Sequence, residues 1–394
     1  MDASKKIYQK LGVGIVFLYL LFYPFGQLLR FNFQLTSEEI PIHAVDIIAL
    51  ISIPLIIVAR SKKPNIDRAI KSFLIIAFFS NVLSLYFFPL NEVLVNSLYL
   101  LRIFAYYSFF VLVWNLIVRK ALDKKILYAG LISLSVFAAI FGWIQYFWLP
   151  DLTSLKYIGW DDHLYRLVGT YLDPGFTGII LVMGFLLVSN LFLQEKGKYQ
   201  LVIAFFLFIS VLFTYSRASY LALLLGMFTL AWLKKKKKLL TLMVLAFIFI
   251  VPLLPRPKSE GARLERTQSV YARLNNYRQT FSIISEYPLF GVGFNNICSA
   301  RIEMFGGSND SHACSGADSS LLFVTATTGV LGLITFLYMG LKVFNSINFD
   351  LYRNTFLTLA FTIVGHSFFV NSMFYPWVMG FMAILFACAI KEHT

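Results

Sequence analysis

Arginine is the residue through which this 394-residue chain shows its chemistry. A guanidinium is a planar fork that grips phosphate oxygens two at a time and never loses its charge. Arg217 stands in TYSRASY, between two apolar runs. There it either anchors a helix end by reaching for water or offers a cation to a phosphate at the membrane surface. Arg266, Arg273 and Tyr277 are spaced by seven and four residues, which puts them on one helical face. That face is either a solvated basic surface or an anion-binding one. Asp318 precedes the apolar run SSLLFVTATTGVLG. It either caps that helix or serves as a base for a hydroxyl proton, with His312 as a second candidate base. Arg102 lies inside an apolar stretch, YLLRIFAYY, and either pairs with a neighbouring helix or faces a wet cavity. Arg166 lies in a loop at about 149–170 with Tyr157, Trp160, Tyr165, Asp161, Asp162 and Asp173 nearby. That loop reads as an interfacial amphipathic segment whose rings could also stack on sugars.

The elements that must position these side chains are transmembrane helices. The chain is 58% hydrophobic and 14% charged with mean hydropathy +0.73, against about 25% charged for soluble domains. Apolar runs suited to ~30 Å of hydrocarbon recur throughout, and runs of this length must be helices. Twelve spans are predicted: 9–30, 43–60, 69–90, 94–118, 126–148, 171–193, 199–214, 217–233, 239–254, 319–341, 355–372 and 374–390. The fold class expected is all-α, a polytopic membrane bundle of about 12 helices forming one domain over 1–394. A long extracytoplasmic loop with short helices occupies 255–318. The first apolar segment lacks a small-residue cleavage site and reads as a retained helix.

The basic turns Arg60–Lys71, Arg119–Lys125, Glu195–Lys198, Lys234–Lys238 and Lys342–Arg353 follow every second span. They should lie in the cytoplasm with both termini, in a multi-pass protein of the plasma (inner) membrane. The net charge of +14 is spread over these turns, which argues against nucleic acid. On this topology eighteen of twenty Lys are cytoplasmic, whereas ten of fourteen Arg are outside or in the membrane. An arginine-lined outer surface just above lipid suits a lipid-linked pyrophosphate.

Within the long loop, GVGFNN has only part of a dinucleotide fingerprint and reads as a Pro/Gly turn. Cys298 and Cys314 are either a disulfide or free thiols, and Cys388 lies in the last span. His312 has no companion at metal-ligand spacing, so no metal is expected.

Three stretches resemble the O-antigen ligase and O-antigen polymerase superfamily of bacterial surface-polysaccharide membrane glycosyltransferases. TYSRASYLAL is similar to its Ser-Arg-Gly motif at an external helix end. ARLNNYRQTFSIISEYPLFGVGFNN is similar to its Arg-x-x-x-Trp helix and Pro-Leu-x-Gly-x-Gly turn, with Tyr277 in the Trp place. DSSLLFVTATTGVLGL is similar to its His-Asn-Ser-x-Leu segment running into Thr-Gly-x-x-Gly, with Asp318 where ligases often carry His. The resemblance implies transfer of a glycan from undecaprenyl pyrophosphate to an acceptor hydroxyl, without cofactor. It implies that Arg217 and Arg273 bind the pyrophosphate and that Asp318 assists the acceptor; on this reading Arg102 and Arg166 are further candidates for the pyrophosphate clamp, and Arg266, Tyr277 and His312 are candidate substrate-binding residues. The implied partners are the lipid-linked oligosaccharide, a glycan or lipid acceptor, and other polysaccharide-assembly proteins. The competing reading is a transporter or flippase of an anionic or lipid-linked substrate, favoured mainly by Arg102.

Overall fold

The computed structural model describes residues 3–35, 38–158, 160–255, 260–265, 267–306, 314, 316–348 and 350–391. Arg256, Arg266 and His312 lie outside the described residues. The fold is an all-α polytopic membrane protein, and fourteen α-helices are found among those residues. They are α1 Ala3–Phe22, α2 Ala44–Val58, α3 Asp67–Ser84, α4 Leu90–Val118, α5 Lys124–Trp148, α6 Pro174–Glu195 and α7 Lys198–Phe213. Then follow α8 Arg217–Leu233, α9 Lys237–Leu253, α10 Gln268–Glu286, α11 Ile297–Phe305, α12 Ser320–Asn345, α13 Leu351–His366 and α14 Pro376–Ala389. Each of the twelve predicted spans coincides with one helix, and α10 and α11 are the short helices of the long loop. Among the described residues five helical segments have both the length and the apolar content to cross a bilayer, with shorter apolar helices beside them.

The helices begin where side chains satisfy their free amides. Asp173 accepts from Phe176 N–H at 2.7 Å and Pro174 opens α6. Ser216 starts α8 and accepts from Ser219 N–H at 3.3 Å. Helix α6 is apolar all round and is buried from Thr177 to Asn190, with α5, α7, α8 and α13 packed about it. The second half of α4 is the other buried column, Ala105–Ile117. A smaller apolar cluster joins α3, the first part of α4, α10, α11 and the start of α12 through Phe73, Val93, Ile283, Phe294, Ile297 and Phe323.

Between the first two predicted spans, β1 Arg30–Leu35 and β2 Glu38–His43 pair antiparallel. The alternation of Phe31, Phe33 and Leu35 with polar residues has the period of a strand.

Helix α12 is broken at Gly329, where φ is +65°. Pro288–Gly293, the turn after α10, fills the break. Val292 N–H donates to Ala326 O and Gly293 N–H to Thr327 O, both at 3.0 Å, while Val330 N–H donates to Pro288 O at 2.8 Å. The Ser80 hydroxyl lies 2.5 and 2.7 Å from the Phe290 and Thr327 carbonyls. The two glycine-bearing motifs are thus one backbone clasp, which satisfies non-helical backbone inside the protein. A Cβ on Gly329 would sit 2.1 Å from Leu289 O, and one on Gly291 2.5 Å from Ala326 O.

Candidate functional site

At the loop end of the bundle the N-termini of α6, α8 and α12 meet the turn between α13 and α14. A Cβ on Gly175 would lie 3.7 Å from Val370 and 3.9 Å from Ser216 Oγ. Ser320 ties α12 to the same turn. Its N–H donates to Ser367 O at 2.9 Å, and its hydroxyl donates to Asn371 Oδ1 at 2.9 Å and accepts from Met373 N–H at 3.2 Å. Helix α10 lies against this assembly. The Tyr277 hydroxyl donates to Phe368 O, Asn276 Nδ2 donates to Gly316 O at 3.3 Å, and Asp318 N–H donates to Asn276 Oδ1 at 3.0 Å.

Asp318 does not cap α12. Ser319 occupies that position, and neither side chain bonds a first-turn amide. The Asp318 carboxylate, half-buried, makes no hydrogen bond or ion pair among the described residues. Burial raises its proton affinity above that of an ordinary carboxyl. Arg273 and Arg301 pull it down, while Asp161 and Asp173 push it up.

Arg273 is the electrostatic hub. Arg217, Tyr277, Asp318 and His366 all lie within reach of its charge. It forms no hydrogen bond or ion pair among the described residues, so its fork is unengaged. Arg217 is held by the long loop: one nitrogen donates to Ser269 Oγ at 2.6 Å and another to Leu264 O at 3.3 Å. The structure therefore brings Arg217, Arg273, Tyr277 and Asp318 together.

Arg166, 7% exposed, stands behind this group. Its Nε donates to Thr214 O at 3.0 Å and Nη2 to Tyr215 O at 3.3 Å. Tyr215 has a left-handed backbone, φ +49°, unusual for a bulky residue. The Arg166 fork thus fixes the strained turn that presents Arg217. Arg301 does the same for Asp318, donating to Cys314 O and Gly316 O at 2.8 Å and to Thr280 Oγ1 at 3.1 Å. Cys298 and Cys314 are bonded, with Cα atoms 4.9 Å apart, and this also tethers the segment leading to Asp318.

Arg102 belongs to a different cluster. It pairs with Asp46 at 3.0 Å, donates to Pro41 O at 2.9 Å and lies over the Tyr99 ring. Asp46 also accepts from Tyr106 at 3.2 Å and contacts His43 Nδ1 at 3.0 Å. Helix α4 has 29 residues, ~43 Å of helix against ~30 Å of hydrocarbon. Asp46, in the first turn of α2, sets the depth of Arg102 at the loop end of the bundle. A cavity of about 100 Å³ lined by Arg102, Asn295 and Asn371 separates it from the Ser320 anchor.

Sequence reasoning gave no role to His366 at the end of α13. A lone histidine ending an apolar helix carries no motif, and only the fold brings it against Ser372.

No match to a curated protein was found. Residues 202–337 match the family described as O-antigen ligase. The matched segment is about a third of the chain and runs from α7 into α12. It contains Arg217, Arg273, Asp318 and both halves of the glycine clasp. Over that segment the chain is similar to the O-antigen ligase family.

Proposed function

We propose that this protein transfers a glycan from undecaprenyl pyrophosphate onto an acceptor hydroxyl at the outer face of the plasma membrane. The observation that carries the reading is the unengaged Arg273 fork within charge reach of both Arg217 and Asp318. Two cations beside one partly buried carboxyl match what the transfer demands. The acceptor oxygen attacks the anomeric carbon, and the bond from that carbon to the pyrophosphate breaks. The negative charge grows on the leaving pyrophosphate, where Arg217 and Arg273 stabilise it. The hydroxyl proton passes to Asp318. Attack from the face opposite the leaving group inverts the anomeric centre. Tyr277 orients α10 by its bond to Phe368 O.

In this reading the loop at 255–318 is an extracytoplasmic subdomain over the site, and the motif region continues to about residue 341. The five Lys-bearing turns and both termini are cytoplasmic, as the positive-inside rule directs. Arg102, on which a transporter reading leaned, is engaged by Asp46 and Pro41 O.

The test uses purified full-length protein in detergent with a lipid-linked oligosaccharide donor. Detergent leaves no second compartment, so product formation separates chemistry from transport. Arg217→Ala and Arg273→Ala should each slow transfer by ~10–100-fold, the worth of a charge-assisted hydrogen bond. Wild-type rates in both variants would end the proposal. A ladder of repeat units as product means polymerase; one transferred block means ligase.

A further inference from the structure

The turn that fills the break in α12 lies at hydrocarbon depth. Gly329 is nine residues past Ser320, the first residue of α12, so the turn meets that helix ~14 Å from its loop end. Helix α12 is long and apolar enough to cross a bilayer, and that point falls well inside ~30 Å of hydrocarbon. Helix α3 agrees: Ser80, four residues before its end, lies 2.5 Å from Phe290 O. Between this turn and the end of α3 runs a groove of about 650 Å³. Leu83, Tyr86 and Phe87 wall one side, and Tyr287, Leu289 and Phe290 the other. Ring contacts brace the walls, Phe87 to Tyr287 with centroids 5.1 Å apart and Phe79 to Phe290 at 5.3 Å. Tyr86 is 89% exposed and Leu289 63%. Among the described residues no charged side chain lines the groove.

Helix α10 joins the groove to the arginine site. Its first half is fixed there, through Asn276 to Gly316 O and the Asp318 amide and through Tyr277 to Phe368 O. Its last residues run into the turn held by α12. Arg273 and Tyr287 are fourteen positions apart, ~21 Å of helix. Leu274 and Phe281, seven apart and so on one face, are exposed between the two ends. Arg278 lies in the same stripe and is exposed, with a stem long enough to carry its charge toward the headgroups. A cationic end and an apolar end, joined by an apolar stripe, match an amphiphile with an anionic head and a long tail.

We propose that this groove holds the prenyl chain of the lipid-linked donor while Arg217 and Arg273 hold its pyrophosphate. The inference rests on the donor given to the protein above and adds the path of its tail. Length decides the occupant. A phospholipid acyl chain fills one leaflet, ~15 Å of hydrocarbon, and one whose headgroup sat at Arg273 would end short of a groove ~21 Å away. An undecaprenyl chain, with eleven isoprene units, continues into it. The tail is already out of water, so the groove gains packing contacts and no hydrophobic transfer. Its effect is to choose the lipid and to align the head, not to bind tightly.

Leu83→Trp and Leu289→Trp fill the groove from opposite walls. With detergent-purified protein and an undecaprenyl-pyrophosphate-linked oligosaccharide, each should raise KM by ~3–10-fold, the worth of a few lost packing contacts. With the same oligosaccharide on a pyrophosphate carrying only two isoprene units, KM should move by no more than ~2-fold, because that tail ends before the groove. A second measurement needs no variant. An undecaprenyl donor with a photoreactive diazirine in mid-chain should label residues 82–87 or 287–291 of the wild-type protein, and a phosphatidic acid with the same group on its acyl chain should not concentrate there. Equal KM changes with both donors, no change with either, or prenyl labelling that is spread evenly over the helices or matched by the acyl probe overturns the inference. Wild-type protein that transfers from neither donor would instead remove the reading of the donor itself, so the two failures are distinguishable.

Discussion

Replacing Asp318 with Asn tests the proposed base and gives opposite signs for activity and stability. The amide has nearly the same shape, and the backbone bond from residue 318 to Asn276 Oδ1 at 3.0 Å does not involve the side chain. The fold should therefore survive. A positioned base contributes ~10²–10⁴ to a rate, and the arginines that stabilise the leaving group remain. The transfer rate should fall by that factor and not to the uncatalysed level. Burial holds the Asp318 carboxyl above its ordinary range, outweighing Arg273 and Arg301. The folded state thus binds the proton more tightly than the unfolded chain. Stability from this group is present at low pH and is lost as pH rises from the unfolded pKa through the raised folded one. At neutral pH the ionised carboxyl opposes folding, so Asp318→Asn should melt at the same temperature or higher. The wild-type rate should rise with pH along a limb set above the usual carboxylate range, and the variant should lack that limb. The assay is transfer in detergent across pH, paired with thermal melts of the same samples. Asp318→Asn transferring within ~3-fold of wild type would refute the role as base. A clear drop in melting temperature at neutral pH would refute the electrostatic account.

Gly329→Ala should destabilise the protein by at least ~1–3 kcal/mol, since its Cβ meets Leu289 O at 2.1 Å on a left-handed backbone. Gly340→Ala in the same helix meets nothing within 4 Å and should melt like wild type or slightly higher. Arg102→Ala leaves Asp46 buried without its cation and should cost ~3–5 kcal/mol. It should leave activity per folded molecule unchanged, as read by thermal shift and transfer rate together. The Cys298→Ser, Cys314→Ser double variant opens a link across 16 residues, worth ~3 kcal/mol. Hydrogen exchange of α11 and residues 316–319 should rise, and transfer should slow as Asp318 loses its tether.

The helices were legible because lipid imposes a simple grammar, with apolar runs closed by Lys-rich turns and opened by caps such as Asp173 and Ser216. Arg217, Arg273 and Asp318, which carry the proposed chemistry, stood out because their types are out of place near lipid. Their contacts were not. Both Arg102 and Asp46 stand out in the sequence, yet only the packing of α2 on α4 pairs them. Arg166 looked like a ligand, and the structure turns its fork to two carbonyls of the strained Thr214–Tyr215 turn. The β1–β2 hairpin escaped notice because its strands are short and its hydrophobic alternation sits next to a membrane span. His366 was invisible for a related reason, since its hydrogen-bond partner, Ser372, comes from the turn beyond α13.

The clasp between Pro288–Gly293 and the break at Gly329 links the order of synthesis to the birth of the site. The turn leaves the ribosome before the helix whose carbonyls it must meet, and Ser367 and Phe368, which anchor α12 and α10, follow later still. A nascent chain that stops short of α13 holds its arginines but has nothing to aim them. On the function proposed above, the protein therefore stays inert until its last helices are threaded, and a truncated copy consumes no donor.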